Sequence, residues 1–141
     1  MRKWQQMVQA FHEKAGSTIN YKPNDLDDET AYLRANLIAE EFEELLAALG
    51  VRKIDDIIVD WERDPGQGHV AVADAIGDLL YVVLGTAVSC GIDIQPIFEE
   101  IHRSNMSKFI DGHRRMDGKW IKGPSYTPAN LEPLIAQQQN L

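Results

Sequence analysis

The sequence contains one cysteine, Cys90, and no run of about 18 apolar residues that avoids a charge. A single cysteine excludes a disulfide within the chain and a cysteine-rich zinc site. Cys90 lies in an apolar run, where we expect a small buried hydrophobic side chain. Residues 1–16 lack the apolar core of a signal peptide, so we expect a cytoplasmic protein without a membrane partner.

Positive charge is also scarce in this chain. Lys and Arg number 14 against 22 Asp and Glu, which gives a net charge of −8. Because non-specific nucleic-acid binding needs clustered Lys and Arg, we expect no nucleic-acid partner. An acidic protein still binds an anionic nucleotide when a divalent metal ion lies between its carboxylates and the phosphates. The length of 141 residues predicts one domain, residues 1–141.

Hydrophobic periodicity predicts four helices, over residues 2–15, about 28–49, 69–90 and 94–109. The third is apolar nearly all round, so we expect it to be buried on most sides. Four helices with almost no alternating strands predict an all-α fold of the four-helix-bundle type. Because the second and third helices are apolar on two sides, we expect oligomerisation to complete the bundle, as a homodimer or a homotetramer.

The connecting segments are less regular. We expect a short helical turn from Ile54 to Trp61, followed by a break at DPGQG, residues 64–68. The C-terminal part, rich in Gly, Pro and Lys, is predicted to be irregular, with a small hairpin at DGK, residues 117–119, and a short helix from about Asn130. Asp27 or Asp28 is expected to cap the second helix.

The stretch LIAEEFEELLAAL, residues 37–49, places glutamates within a helical apolar pattern. At about 100° per residue, Glu40, Glu41 and Glu44 share one arc of the second helix with apolar side chains. Glu43 lies outside that arc. An EExxE pattern alone usually marks a solvated face, so it needs support from elsewhere in the chain.

That support comes from the third helix. Between Val70 and Ile92 its only charges are Asp74 and Asp78, one turn apart, and we expect both to be partly buried. The alternative for these two is a cap or a buried hydrogen-bonded pair. Five neighbouring carboxylates on apolar helix faces are unstable without cations. Hard divalent ions such as Mg²⁺ prefer oxygen ligands, so the two helices together favour a metal site.

The fourth helix turns polar toward its C-terminal end. Its apolar stripe continues by threes and fours to Asn105 and Lys108. Lys108 is suited to a phosphate and Asn105 to a base or sugar, although a solvent-facing lysine at a helix end is equally expected. Two further lysines, Lys119 and Lys122, lie in a Gly-rich turn. Packing within the protein is the commoner outcome for the aromatic residues there, Trp120 and Tyr126.

These motifs resemble the all-α nucleoside triphosphate pyrophosphohydrolase superfamily. The EExxE of Glu40, Glu41 and Glu44, with DAIGDLLYV on the next long helix, carries the likeness. The closer likeness is to the MazG-like, phosphoribosyl-ATP pyrophosphohydrolase-like branch, through HRSNMSK at residues 102–108 and the later DGKWIKGP at 117–124. The similarity runs from about residue 11 to 131.

The resemblance implies Mg²⁺-dependent cleavage of a nucleoside triphosphate between the α and β phosphates, giving a monophosphate and pyrophosphate. Such an activity fits house-cleaning of nucleotide pools, and Mn²⁺ is an alternative ion. Glu40 and Glu41 would be catalytic, with Glu40 activating water. The implied metal ligands are Glu40, Glu41, Glu44, Asp74 and Asp78. The implied substrate-binding residues are Asn105, Lys108, Lys119, Lys122 and Tyr81.

One departure from the superfamily pattern keeps alternatives open. The usual second motif is ExxD, but Ala75 stands three residues before Asp78, and Asp74 would have to replace the glutamate. A catalytically weak nucleotide-binding or interaction protein of the same fold is therefore retained as an alternative. Hydrolysis of phosphoribosyl-ATP is a further alternative that the resemblance implies. A di-iron site through Glu99-x-x-His102 ranks low, because such sites use two of these motifs and the chain has one.

Overall fold

The computed structural model describes residues 3–54, 57–59 and 66–141, and these form a predominantly helical fold. This confirms the predicted all-α class. Within the described ranges the helices are α1 (Lys3–Ala15), α2 (Asp28–Leu49), α3 (His69–Cys90), α4 (Ile94–Met106) and α5 (Glu132–Gln139), with a single 3-10 turn at Ser107–Phe109.

The ends of the two longest helices follow from local chemistry. Asp27 is the N-cap of α2, and its Oδ1 accepts a hydrogen bond of 2.8 Å from the Thr30 N–H. Gly50 and Gly91 end α2 and α3 in the left-handed conformation, with φ of 73° and 69°. Glycine adopts that conformation without a Cβ penalty, so both helices stop where the sequence predicts.

Two short antiparallel hairpins connect the helices. The first pairs β1 (Arg52–Ile54) with β2 (Ile57–Val59). The predicted helical turn is wrong for residue 54 and for β2, because β-branched Ile and Val favour extended backbone. The rest of that prediction, and residues 64 and 65 of the predicted break, lie outside the described residues.

The second hairpin pairs β3 (His113–Arg114) with β4 (Trp120–Ile121). It confirms the hairpin predicted at DGK. Gly118 occupies the turn with φ of 90°, a value that favours glycine. The last helix, α5, begins two residues after the predicted position.

The core lies where α1 and α2 pack against α3. The buried face of α1 consists of Gln5, Val8 and His12. The Gln5 side-chain amide donates to the Ile92 carbonyl at 2.7 Å and accepts from the Ile94 N–H at 3.2 Å. These bonds satisfy backbone groups between α3 and α4 and attach α1 to that connection.

Much of the outer face of α3 is not covered by the other described helices. Val70, Ile76 and Leu80 are exposed, so the prediction that α3 is buried on most sides is wrong for one chain. The reason is that α1 and α2 cover one side only, while α4, within the described residues, makes only slight contact with the other long helices. By length and composition α3 also qualifies as a candidate membrane span, which is weak evidence since core helices of soluble proteins qualify too.

Candidate functional site

Five carboxylates face each other across α2 and α3, and we call them the acidic cluster: Glu40, Glu41, Glu44, Asp74 and Asp78. Glu41 is half-buried, whereas the other four side chains are exposed. The expectation that Asp74 and Asp78 are partly buried is therefore wrong in the single chain. The reason is that α2 and α3 leave an open cavity between them here, which Asp74 lines from the α3 side.

Glu41 is the centre of the cluster. Its Oε2 atom is buried and, among the described residues, is the one buried side-chain oxygen or nitrogen without a hydrogen-bond partner. Burial raises the pKa of the Glu41 carboxyl, and the charges of Glu44, Asp78, Glu40 and Asp74 raise it further, in that order. The other four predicted ligands therefore all act on Glu41. Glu43, predicted to lie outside the arc, is absent from these influences.

A cavity of about 290 Å³ opens between the C-terminal half of α2 and the N-terminal half of α3. Glu44 and Asp74 line it from opposite helices, together with the amide of Gln67. Ala75, the position of the superfamily's usual glutamate, is buried and also lines the cavity. Asp74 thus borders the space into which a metal-binding glutamate at position 75 would extend.

The acidic cluster suits a hard divalent cation. Its donors are carboxylate oxygens, and the buried unpartnered Oε2 of Glu41 marks a place where neutralisation is needed. In the part of the chain that the structure describes, no three acidic, His or Cys side chains converge closely enough to hold an ion as they stand. Four of the five carboxylates are exposed, so their side chains are able to change rotamer and bring their oxygens closer together within the limits that the two helix backbones set.

Tyr81 lies on α3 one turn beyond Asp78. Its ring packs edge-on against Phe11 of α1, with centroids 5.8 Å apart and an interplanar angle of 82°. Both rings remain partly exposed, Tyr81 at 39% and Phe11 at 54%. The structure therefore places an accessible aromatic pair beside the acidic cluster.

A second group of functional candidates lies in residues 102–122, which we call the basic segment. It carries six Lys and Arg against two Asp. Lys108 donates from Nζ to Asn105 Oδ1 at 2.9 Å. The ammonium groups of Lys108 and Lys122 lie 6.0 and 5.0 Å from the centroid of the Tyr126 ring. Three predicted substrate-binding residues are thus brought together, with Tyr126 packed among them.

Lys119 is exposed on the second hairpin and makes no described contact with the other lysines. Its backbone N–H donates to Asp117 Oδ1 at 3.2 Å. The neighbouring Trp120 packs edge-on against Phe109, with centroids 4.7 Å apart. Packing within the segment is therefore the outcome for Trp120, as it is for Tyr126.

Buried hydroxyl groups hold the basic segment in place, a feature that the sequence pattern did not predict. Ser104 donates to the Thr127 carbonyl at 2.9 Å, and the Thr127 N–H donates to Ser107 Oγ at 2.9 Å. Arg103 adds a bond of 2.7 Å to Thr127 Oγ1. The signal present in the sequence is the pair of serines, three residues apart, on the predicted helix.

The described residues do not link the two candidate groups directly. Among the described residues, no hydrogen bond or ion pair joins the acidic cluster to the basic segment. Glu99 and His102 of the alternative di-iron hypothesis are both exposed on α4, and the described residues offer no ligand cluster around them. The acidic cluster therefore remains the candidate metal site.

Comparison with known proteins identifies one family. The model of the phosphoribosyl-ATP pyrophosphohydrolase family matches residues 8–105, well over half of the chain. The match includes all five residues of the acidic cluster, Tyr81 and Asn105, and it ends before Lys108. The comparison with curated proteins gives no significant match.

Proposed function

Since the chain belongs to the phosphoribosyl-ATP pyrophosphohydrolase family, whose name denotes a pyrophosphohydrolase, we propose that it hydrolyses nucleoside triphosphates between the α and β phosphates with Mg²⁺. The observation that carries this proposal is the buried, unpartnered Oε2 of Glu41, surrounded by four further carboxylates. Such a concentration of like charge destabilises a fold unless it binds cations. A cluster of this kind is typical of functional sites.

The chemistry requires positioning and charge neutralisation more than a covalent intermediate. The oxygen of a water molecule attacks the α phosphorus, the bond from that phosphorus to the bridging oxygen breaks, and pyrophosphate leaves. Glu40, exposed at the edge of the cluster, accepts the proton of the attacking water. Glu41, Glu44, Asp74 and Asp78 would hold Mg²⁺ or Mn²⁺, which neutralises the phosphates when bound.

The phosphates and the nucleoside need contacts that carboxylates do not provide. Lys108 and Lys122, each with its ammonium group near the Tyr126 ring, would bind the phosphates. Asn105, already bonded to Lys108, presents its amide to the base or sugar. Tyr81 is exposed beside Asp78 and would contact the nucleoside. Lys119 would join the phosphate contacts from the hairpin.

A second copy of the chain is the natural means of joining the two groups. The exposed apolar side chains of α3 and the slight contacts of α4 leave a bundle that one chain does not complete. A homodimer or homotetramer would cover that face and bring a basic segment to an acidic cluster. Light scattering coupled to size exclusion gives the mass directly, and a monomer at micromolar concentration would contradict this part of the proposal.

Phosphoribosyl-ATP is the second candidate substrate, favoured by the description of the matching family. Its hydrolysis breaks the same α–β phosphoanhydride bond, so the acidic cluster would act in the same way. The difference lies in the group attached to the base, which the nucleoside contacts must accommodate.

The test is a substrate panel of the eight common ribo- and deoxyribonucleoside triphosphates and phosphoribosyl-ATP, with Mg²⁺ and detection of pyrophosphate. Release from a triphosphate supports the first candidate, and release from phosphoribosyl-ATP alone supports the second. No pyrophosphate from any of them would reject the enzymatic proposal. Nucleotide binding measured in that case would support the remaining alternative, a weak nucleotide-binding protein in which Ala75 has removed a needed ligand.

A further inference from the structure

The interior of the fold contains an arginine that the proposed reaction does not use. Arg34 of α2 is 7% exposed, although a charged side chain is costly to bury. No carboxylate pairs with it among the described residues. Burial lowers the pKa of its guanidinium, while the charge of Cys90 acts in the opposite direction. A buried cation without an anionic partner needs another reason to be there.

Among the described residues, the hydrogen bonds of the Arg34 side chain go to α3. Its Nη2 donates to the Val82 carbonyl at 2.8 Å, and its Nε donates to Thr86 Oγ1 at 3.3 Å. Thr86 Oγ1 itself donates to the same Val82 carbonyl at 3.0 Å. The guanidinium therefore joins α2 to α3 through a small hydrogen-bonded group.

Gly85 makes room for this arrangement. A Cβ at position 85 would lie 2.3 Å from Arg34 Nη2 and 3.0 Å from Nε2 of His12. His12 is 2% exposed and is held by a bond of 3.1 Å from Nδ1 to the Thr18 carbonyl oxygen. A side chain at residue 85 would therefore press on both the guanidinium and the His12 ring, and the guanidinium would have to move away.

The cross-link lies on the helix faces that bear the acidic cluster. Arg34 and Glu41 are seven residues apart, which is about two turns along the same face of α2. Val82 and Asp78 are four residues apart, which is about one turn along the same face of α3. Any shift of α2 along α3 at Arg34 therefore changes the distance between the Glu41 and Asp78 carboxylates.

From this placement we propose that Arg34 is a positioning residue that sets the register of α2 against α3 and so the separation of the carboxylates that bind the metal ion. The inference rests on the proposed function, since it assumes a metal ion at the acidic cluster. It adds that the affinity of this site depends on a buried cation two turns away and on the absence of a side chain at residue 85.

The experiment is Mn²⁺ titration of the full chain by calorimetry and electron paramagnetic resonance, well below the Tm of each variant. Arg34→Met removes the donors, and Gly85→Ala displaces the guanidinium while leaving the arginine in place. Both are expected to weaken Mn²⁺ binding about tenfold, the scale of supporting residues around metal sites. Arg34→Lys keeps the charge and one donor and is expected to recover part of the affinity.

Val8→Ala is the matched control, because it lowers stability by truncating a fully buried core side chain on α1 without touching the cross-link. Its Mn²⁺ affinity should equal that of the unaltered protein. If Arg34→Met does not fold, Gly85→Ala and Arg34→Lys decide the matter. Unchanged affinity in the folded variants overturns the inference alone, whereas failure of the unaltered protein to bind Mn²⁺ overturns both it and the proposed metal site.

Discussion

The acidic cluster and the basic segment differ in whether their charged side chains are paired. In the acidic cluster, no Lys or Arg among the described residues pairs with the five carboxylates, and the pKa of Glu41 is raised by burial and by its neighbours. At the start of the basic segment, Arg103 donates two bonds of 2.8 Å to Glu100, which lies just before the segment on α4. The pKa of Glu100 is lowered to about 2 by that pairing and by the Asn130 N–H. Paired charges there hold the chain together, whereas unpaired charges in the cluster point to a ligand.

The largest effect is expected from removing charge at the centre of the acidic cluster. Glu41→Gln and Asp78→Asn should each lower kcat/KM by about a hundredfold or more, because metal-ion stabilisation of the transition state amounts to several kcal/mol. Pyrophosphate release under saturating Mg²⁺ is the measurement. Glu43→Gln, which neutralises an exposed glutamate of the same helix, is the control and should stay within about twofold. Equal activity of all three variants would contradict the assignment.

Asp74 is the next point at which to test the cluster. Asp74→Asn should weaken Mn²⁺ binding by about tenfold if Asp74 replaces the missing glutamate, since it lines the cavity opposite Glu44. Calorimetric titration measures this without turnover. Unchanged affinity would show that Glu41, Glu44 and Asp78 suffice, and that Asp74 lies at the cavity for another reason.

A smaller effect is expected in the basic segment. Lys108→Ala should raise KM for the triphosphate about tenfold with little change in kcat, because one charge-assisted phosphate contact is lost. Lys14→Ala, on the exposed end of α1, removes the same charge elsewhere and should leave KM unchanged. A fall in kcat with constant KM would place Lys108 at the reacting phosphate instead.

The smallest effect concerns pH. The lowered pKa of Glu100 means that its stabilising contribution is present above the ordinary glutamate pKa of 4.5 and is lost as pH falls toward about 2. Glu100→Gln should therefore lower Tm slightly at pH 7, and the difference from the unaltered protein should shrink by pH 3. Thermal unfolding followed by circular dichroism at both values measures it.

Glu13→Gln, at an exposed glutamate of α1, is the matched comparison for this pH experiment. It should show no such pH-dependent difference. A Glu100→Gln difference that grows toward low pH would contradict a stabilising contribution from the ionised Glu100 carboxylate.

Much of the fold was predictable because helix ends are local. Asp27, Gly50 and Gly91 act through their own backbone and side-chain bonds, so the pattern alone places both ends of α2 and the end of α3. The first hairpin was missed because a short apolar run does not distinguish a helical turn from a strand. The shared arc of Glu40, Glu41 and Glu44 was predictable because helical spacing, like a helix end, is a local property of the sequence.

Burial could not be predicted in this way. Apolar composition indicated that α3 is covered on most sides and that Asp74 and Asp78 are partly buried, yet both aspartates are exposed in the single chain. Composition records how much surface a helix would bury, but it does not say whether the same chain or another supplies the cover. For α3, the chain's own fourth helix does not.

The sequence by itself determined the helices, the identity of the carboxylates and the lysines, and the helix face on which each lies. The reason is that the spacing of residues along a helix sets the direction in which each side chain leaves the helix axis. Only the tertiary structure decided that the Glu41 Oε2 atom is buried without a partner and that Arg34, two turns away, joins α2 to α3. It also decided that Gly85 leaves the space for that guanidinium. These facts depend on the distances between side chains that are far apart in the sequence, and a local sequence pattern gives no information about such distances.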